Sequence, residues 1–282
     1  MRILRSEVLG LCFGVRDALQ AARALEHPHA VTIHGELVHN EVVLSSLTRR
    51  GFQMSGESAG QSIPETDAVL ITAHGISNTE RQRLLRAGKR LVDTTCPLVA
   101  RVHKAALQLQ EDGYHVLVIG RRNHVEIRGI TGDLLSWDVI QAVEEVKHYP
   151  QPRLGIVSQT TMPPRVVDAI REAIVRHNPE AGMRFVDTVC QPTKDHQRAL
   201  ERLLRLVDAV VVVGGRNSNN THELAALCRE KGIPAWHVQG ADDLEATWFT
   251  GCQTVGLTAG TSTLPETIAE VEQKLLQLTV GT

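Results

Sequence analysis

A chain of 282 residues with 42% hydrophobic and 22% charged side chains can bury a sizeable core, in the proportions of an ordinary globular protein. A formal net charge of −2 supplies no global basic field for nucleic acid or an anionic membrane surface, and 3% aromatic residues leave little for stacking bases or sugars. No stretch reaches the roughly eighteen apolar residues of a membrane span. The opening MRILRSEVLGLCFGV shows neither a secretory core with a cleavage site nor an Arg/Ser-rich transit segment, and five cysteines, an odd number, argue against a disulfide framework. The expectation is a cytoplasmic protein.

In chain order, residues 1–12 read as a strand leading to Cys12, and FGVRDALQAARAL (13–25) as a helix. HGELVHN (34–40) reads as a strand end turning polar, DAVLITA (67–73) as a strand and ERQRLLRAG (80–88) as a helix. After Cys96 come the helical VARVHKAALQLQEDG (99–113) and the strands YHVLVIG (114–120) and RLGIVSQ (153–159), followed by the helical RVVDAIREAIVRH (165–177). After Cys190 the helical QPTKDHQRALERLL precedes DAVVVVG (208–214), HELAALCREKG (222–232), TVGLTAG (254–260) and ETIAEVEQKLLQL (266–278). Continuous apolar runs suit strands buried on both faces, and strands alternating with amphipathic helices predict an α/β fold with mainly parallel sheets.

The chain repeats itself. DTTC at 93–96 and DTVC at 187–190 each open a helix, as Cys12 does. His39, His124 and Ser218 follow Cys12, Cys96 and Cys190 by 27, 28 and 28 residues, at strand ends. A second polar junction follows in each copy, with His74, Thr160 and Ser262 at 62, 64 and 72 residues. The spacing predicts three pseudo-symmetric α/β units, 13–96, 97–190 and 191–282, about a common axis.

Ligands of such sheets bind at the carboxyl ends of strands, beside helix N-termini that favour anions. The His, Asn, Ser and Thr at these junctions suit phosphate oxygens or a polycarboxylate. No G-x-x-x-x-G-K-[ST] loop and no G-x-G-x-x-G helix opening supports a nucleotide. The cysteines are too dispersed for a zinc knuckle or a C-x₂-C run. A free cysteine is usually a buried core residue. Cys12, Cys96 and Cys190 recur in phase, however, and three converging thiolates could hold three irons of a [4Fe–4S] cubane and leave the fourth iron open to a substrate oxygen. Cys228 and Cys252 have no phased partners and read as structural.

The motifs G-x-C-F-G-V (10–15), V-H-N (38–40), A-H-G (73–75), D-T-T-C-P (93–97), H-x-E (124–126), Q-T-T (159–161), the Cys190 block, N-S-x-N (217–220) and T-A-G-T-S (258–262) together resemble the 4-hydroxy-3-methylbut-2-enyl diphosphate reductase family, and span nearly the whole chain. The resemblance implies three α/β domains around a [4Fe–4S] cluster on Cys12, Cys96 and Cys190. It implies a diphosphate pocket lined by His39, His74, His124, Ser218, Asn219, Asn220 and Ser262. Glu126 and Thr160 would sit by the substrate hydroxyl, Thr160 also as a substrate-binding residue, and with His124 would serve proton delivery, Glu126 as an acid whose pKa burial raises. Such enzymes remove an allylic hydroxyl with two electrons from a ferredoxin- or flavodoxin-type donor and two protons, giving isopentenyl and dimethylallyl diphosphates. The sequence departs from the family pattern at Val125 (often Pro), Asn219 (usually Ser), Glu223 (commonly Arg), the residues after Cys190 and an extra Leu264. These departures flank the expected pocket. The alternatives are a divergent paralogue on another phosphorylated alcohol, a non-redox hydro-lyase with the same cluster, and a protein that holds a metal as a sensor.

Overall fold

The computed structural model describes residues 1–55 and 62–280; residues 56–61 and 281–282, inside the first and third expected units, lie outside the described residues. The strands are β1 (Arg2–Arg5), β2 (Val31–His34), β3 (Gln53–Ser55), β4 (Ala68–Ile71), β5 (Arg90–Asp93), β6 (His115–Ile119), β7 (Trp137–Ile140), β8 (Arg153–Ser158), β9 (Gly182–Phe185), β10 (Ala209–Val213), β11 (Ala235–Val238) and β12 (Thr254–Ala259). The helices are α1 (Phe13–Arg23), α2 (Glu41–Arg49), α3 (Asn78–Arg86), α4 (Pro97–Glu111), α5 (Val125–Thr131), α6 (Pro164–His177), α7 (Gln191–Leu203), α8 (Asn219–Glu230) and α9 (Pro265–Val280). None of these helices is long and apolar enough to cross a membrane.

The strands form three four-stranded sheets, ordered β3-β2-β4-β5, β7-β6-β8-β9 and β11-β10-β12-β1, and every pairing is parallel. The order is the same in all three once β1 is seen to fill the place that β5 and β9 fill in the others. In the sheets of β2 and β6 the chain leaves the two inner strands in opposite directions, which makes their carboxyl ends a switch point of the kind where α/β sheets bind ligands; in the third sheet β10 leads to β11 and β12 runs into α9. This is the α/β fold that the sequence predicts.

By contacts the chain divides into two compact units. One comprises Met1–Val15, His39–Ser45 and Gln191–Thr282 and holds the sheet of β1; the other comprises Arg16–Val38 and Ser46–Cys190 and holds the other two sheets. In the second unit, β6 and β8 are covered on both faces. Leu117, Ile119, Leu154 and Ile156 pack with Ile170 and Ile174 of α6, while Val116, Val118 and Val157 pack with Val102, Ala106 and Leu109 of α4. Each Val, Leu or Ile side chain so buried stabilises the fold by about 1.5–3 kcal/mol. The close approach of α4 needs Gly155, whose added Cβ would lie 3.0 Å from Leu109. Gly256 meets Leu203 of α7 at the same distance in the first unit.

The sequence missed some elements. The edge strands β3, β5, β7, β9 and β11 are short and half-exposed, so their composition is mixed. Helix α5 is seven residues with a glycine and β-branched side chains, a poor helix former by propensity. It is held by capping and by burial of Ile127 and Ile130. Glu126 therefore sits in the first turn of a helix, not at a strand end.

Candidate functional site

Hydrogen-bond registers give the three sheets one frame. The Cys96 amide donates to Ala73 O (3.0 Å), that of Cys190 to Thr160 O (2.9 Å) and that of Cys12 to Thr261 O (3.0 Å). The inner strands pair His34 with Ile71, Ile119 with Ser158 and Val213 with Ala259. Counting five residues onward from His34, Ile119 and Val213 reaches His39, His124 and Ser218, which are thus equivalent positions. The same frame aligns Ala73, Thr160 and Thr261, and then His74, Thr161 and Ser262. Sequence spacing had set Thr160 beside His74 and Ser262; the structure moves it one place earlier, because loop length between cysteine and junction differs among the copies.

In the second unit the β6–α5 and β8–α6 junctions meet. Glu126 is 1% exposed, and Thr160 donates to its carboxylate twice: N–H to Oε1 at 2.7 Å and Oγ1 to Oε2 at 3.0 Å. His124 is the N-cap of α5, its Nδ1 accepting the Glu126 N–H at 3.1 Å. A neutral ring that accepts at Nδ1 carries its proton on Nε2, so the bond to Glu126 N–H fixes the tautomer in which Nε2 is the donor. The rings of His74 and His124 stand edge to face, centroids 5.5 Å apart.

In the first unit the polar groups are likewise fixed by backbone. Asn40 is buried; its Oδ1 caps α2 by accepting from Val42 and Val43 N–H (3.0 and 3.2 Å), and its Nδ2 donates to Ser262 O at 2.9 Å. The Ser262 hydroxyl donates to His39 O at 3.3 Å. Ser218 caps α8, its Oγ accepting from Thr221 N–H at 3.3 Å, which leaves the hydroxyl proton to donate elsewhere. Asn220 holds the Thr261 N–H on Oδ1 at 3.0 Å, just as Glu126 holds that of Thr160, and its buried Nδ2 has no partner. A buried amide donor without a partner costs free energy unless a ligand or water accepts from it. Asn219, also buried, is the first residue of α8.

Cys12, Cys96 and Cys190 each stand immediately before a helix (α1, α4, α7), and each is half-exposed. Helix N-termini favour the thiolate form that iron–sulfur clusters require. At Cys96 burial raises the thiol pKa, while the Leu98 and Val99 amides of α4 pull it back. Cys228 differs: it lies inside α8, fully buried, and burial pushes its thiol to about 12. Cys252 lies in a turn before β12, and its thiol is raised by slight burial and by Asp208. Each of Cys12, Cys96 and Cys190 thus offers a part-exposed thiol at a helix start, the setting an iron–sulfur ligand needs; Cys228 is buried within a helix and Cys252 opens none.

Two residues that fix this geometry, Asn40 and Gln159, were not singled out by sequence reasoning, although both lie inside the quoted motifs V-H-N and Q-T-T. Val125 is the first residue of α5 and Leu264 directly precedes α9, so both departures fall at helix starts.

Residues 3–276 match the family model described as LytB protein. A curated relative from Aquifex aeolicus (strain VF5), named 4-hydroxy-3-methylbut-2-enyl diphosphate reductase, is 31% identical over 99% of this chain and 97% of its own. One of the same name from Pseudomonas entomophila (strain L48) is 34% identical over 93% and 86%. Among solved structures, the E-1-hydroxy-2-methyl-but-2-enyl-4-diphosphate reductase of Plasmodium falciparum shares the fold, with a TM-score of 0.87 over 98% of this chain and 87% of that one at 23% identity. A solved (E)-4-hydroxy-3-methyl-but-2-enyl diphosphate reductase, titled the terminal enzyme of the non-mevalonate pathway, is 30% identical with a TM-score of 0.69 over 98% and 100%. The chain belongs to the LytB protein family, that of the 4-hydroxy-3-methylbut-2-enyl diphosphate reductases, and so to a family of oxidoreductases.

Proposed function

We propose that the protein reduces 4-hydroxy-3-methylbut-2-enyl diphosphate, exchanging its allylic C–O bond for C–H and releasing isopentenyl diphosphate, dimethylallyl diphosphate and water. Two electrons and two protons balance the step, one proton leaving with the hydroxyl as water and one going to carbon. The observation that carries the reading is the buried Glu126 carboxyl held by the Thr160 amide and hydroxyl. Hydroxide is a poor leaving group and must be protonated as it departs. When Glu126 carries a proton on Oε2, the Thr160 hydroxyl accepts from it and donates its own proton onward, so the pair passes a proton outward without moving heavy atoms.

Cys12, Cys96 and Cys190 are assigned to a [4Fe–4S] cluster, which when bound supplies the electrons and a Lewis-acidic iron. The reductant is a ferredoxin- or flavodoxin-type donor in the cytoplasm. The diphosphate is assigned to His39, His74, His124, Ser218, Asn219, Asn220 and Ser262. Donors whose other ends are tied to backbone, as at His124, Ser218 and Asn220, are held ready for anionic oxygens and reorganise little on binding. We also read 13–96, 97–190 and 191–282, the last completed by strand 1–12, as copies of one unit. The repeated strand order and the glycine after each first inner strand (Gly35, Gly120, Gly214) support this.

The test is turnover of the allylic diphosphate by anaerobically reconstituted protein, with and without reductant. Reductant-dependent formation of both five-carbon diphosphates is expected. Loss or movement of water without reductant would replace the reading with a hydro-lyase, and no turnover at all would overturn it.

A further inference from the structure

Gln159 lies next to Thr160, where the two junctions that bring Glu126 and Thr160 together meet. It is fully buried, directly after β8. Its amide donates to Ile119 O at 2.8 Å, and its side-chain Oε1 accepts the Arg121 N–H at 3.1 Å, where the chain leaves β6 for α5. Its Nε2 donates to Thr161 Oγ1 at 3.1 Å on the other junction. One amide side chain thus ties the segment carrying His124 and Glu126 to the segment carrying Thr160 and Thr161. The tie depends on Gly120, where an added Cβ would lie 2.9 Å from Gln159 Cβ and 2.5 Å from Ile127 Cδ1.

The shared register sharpens the point. Gln159 is equivalent to Thr72 and Gly260. Thr72 has a buried hydroxyl without a partner, and Gly260 has no side chain. Only the copy that carries the acid places a bridging side chain there. A device needed merely to fold such a sheet would recur in all three; this one follows the chemistry.

We infer that Gln159 is a positioning residue for proton delivery, setting the Glu126–Thr160 separation by clamping both junctions at once. The inference rests on the functional reading above. A proton relay tolerates little change in donor–acceptor distance, and misplacement by about 1 Å can cost about 10²-fold. Gln159 bonds Arg121 and Thr161 and is not itself among the residues assigned to the diphosphate, so its loss is expected to fall mainly on kcat rather than on KM.

The experiment is a double-mutant cycle in the reconstituted holoenzyme, read by kcat, KM, cluster absorbance and thermal midpoint. Gln159→Leu is expected to lower kcat about 10- to 100-fold with KM within about twofold and cluster absorbance unchanged. In a Glu126→Gln background the same change is expected to lower kcat by less than about threefold, because the relay is already broken. Full multiplicative loss in that background, or a loss carried by KM, overturns the inference. Gln159→Glu guards against a leucine variant that fails to fold. Its protonated carboxyl keeps an acceptor for Arg121 and a donor for Thr161, and its ionised form loses the donor. Its kcat relative to wild type is expected to rise as pH falls; a ratio that does not change with pH overturns the inference. Wild-type turnover in the same assay tests the functional reading separately.

Discussion

Replacing Glu126 by glutamine removes one acidic proton and little else. The amide must keep its oxygen toward the Thr160 N–H, now 2.7 Å from Oε1, since a donor cannot face a donor. The NH₂ then faces Thr160 Oγ1, and the hydroxyl, 3.0 Å away, turns from donor to acceptor. Both hydrogen bonds survive, one reversed, so the change in stability is expected within about 1 kcal/mol. General acid catalysis contributes about 10²- to 10⁴-fold, so kcat should fall by that factor, about 2.7–5.4 kcal/mol in the barrier. The diphosphate donors are untouched, and KM should hold within a few-fold. The assay is anaerobic steady-state turnover with a low-potential reductant, run beside thermal denaturation. A kcat loss below tenfold in a variant of normal stability would refute the reasoning and send the proton by another path.

Asn220→Asp keeps the Thr261 bond but sets an acceptor where Nδ2 was; losing a hydrogen bond to a charged group costs about 1.5–3 kcal/mol, so KM should rise tenfold or more with the thermal midpoint little changed. Val125→Pro occupies the first position of α5, where a fixed φ suits the helix and no intrahelical N–H bond is lost; fold and turnover should persist, with stability unchanged or up by about 0.4–1 kcal/mol in denaturant melts. Burial holds the pKa values of His34, His103 and His196 below the ordinary value, so between the folded values and about 6.5 the unfolded chain binds more protons. Stability should therefore be full above about pH 6.5 and fall as pH drops through the folded values, and His196→Gln should flatten that slope in melts from pH 7 to 5.

What the sequence disclosed and what it hid follow from burial. DAVVVVG and YHVLVIG announced β10 and β6 because inner strands covered by helices on both faces are apolar throughout. GMRF and RLVD did not announce β9 and β5, since half-exposed edge strands carry charge. The repeated cysteines were visible because each opens a helix, and helix starts are written in local sequence. The sheet that β1 joins was not visible, because its partner β12 lies at the far end of the chain. Glu126 was found as part of a motif, but its helix was not, since capping by His124 and the packing of Ile127 outweigh a poor local propensity. The alignment of Thr161 with His74 and Ser262 needed the hydrogen-bond register, because the segments from cysteine to junction differ in length by several residues and spacing alone does not fix the match.

The central claim is that Cys12, Cys96 and Cys190, and not Cys228 or Cys252, hold the cluster on which the chemistry depends. Iron and sulfide content with the visible spectrum, measured after anaerobic reconstitution of wild type and five single Cys→Ser variants, tests it most directly. Wild type, Cys228→Ser and Cys252→Ser should each bind about four irons per chain, while Cys12→Ser, Cys96→Ser and Cys190→Ser should each lose most of the iron and the absorbance. Full cluster content in any of the last three, or its loss in Cys228→Ser, would contradict the account.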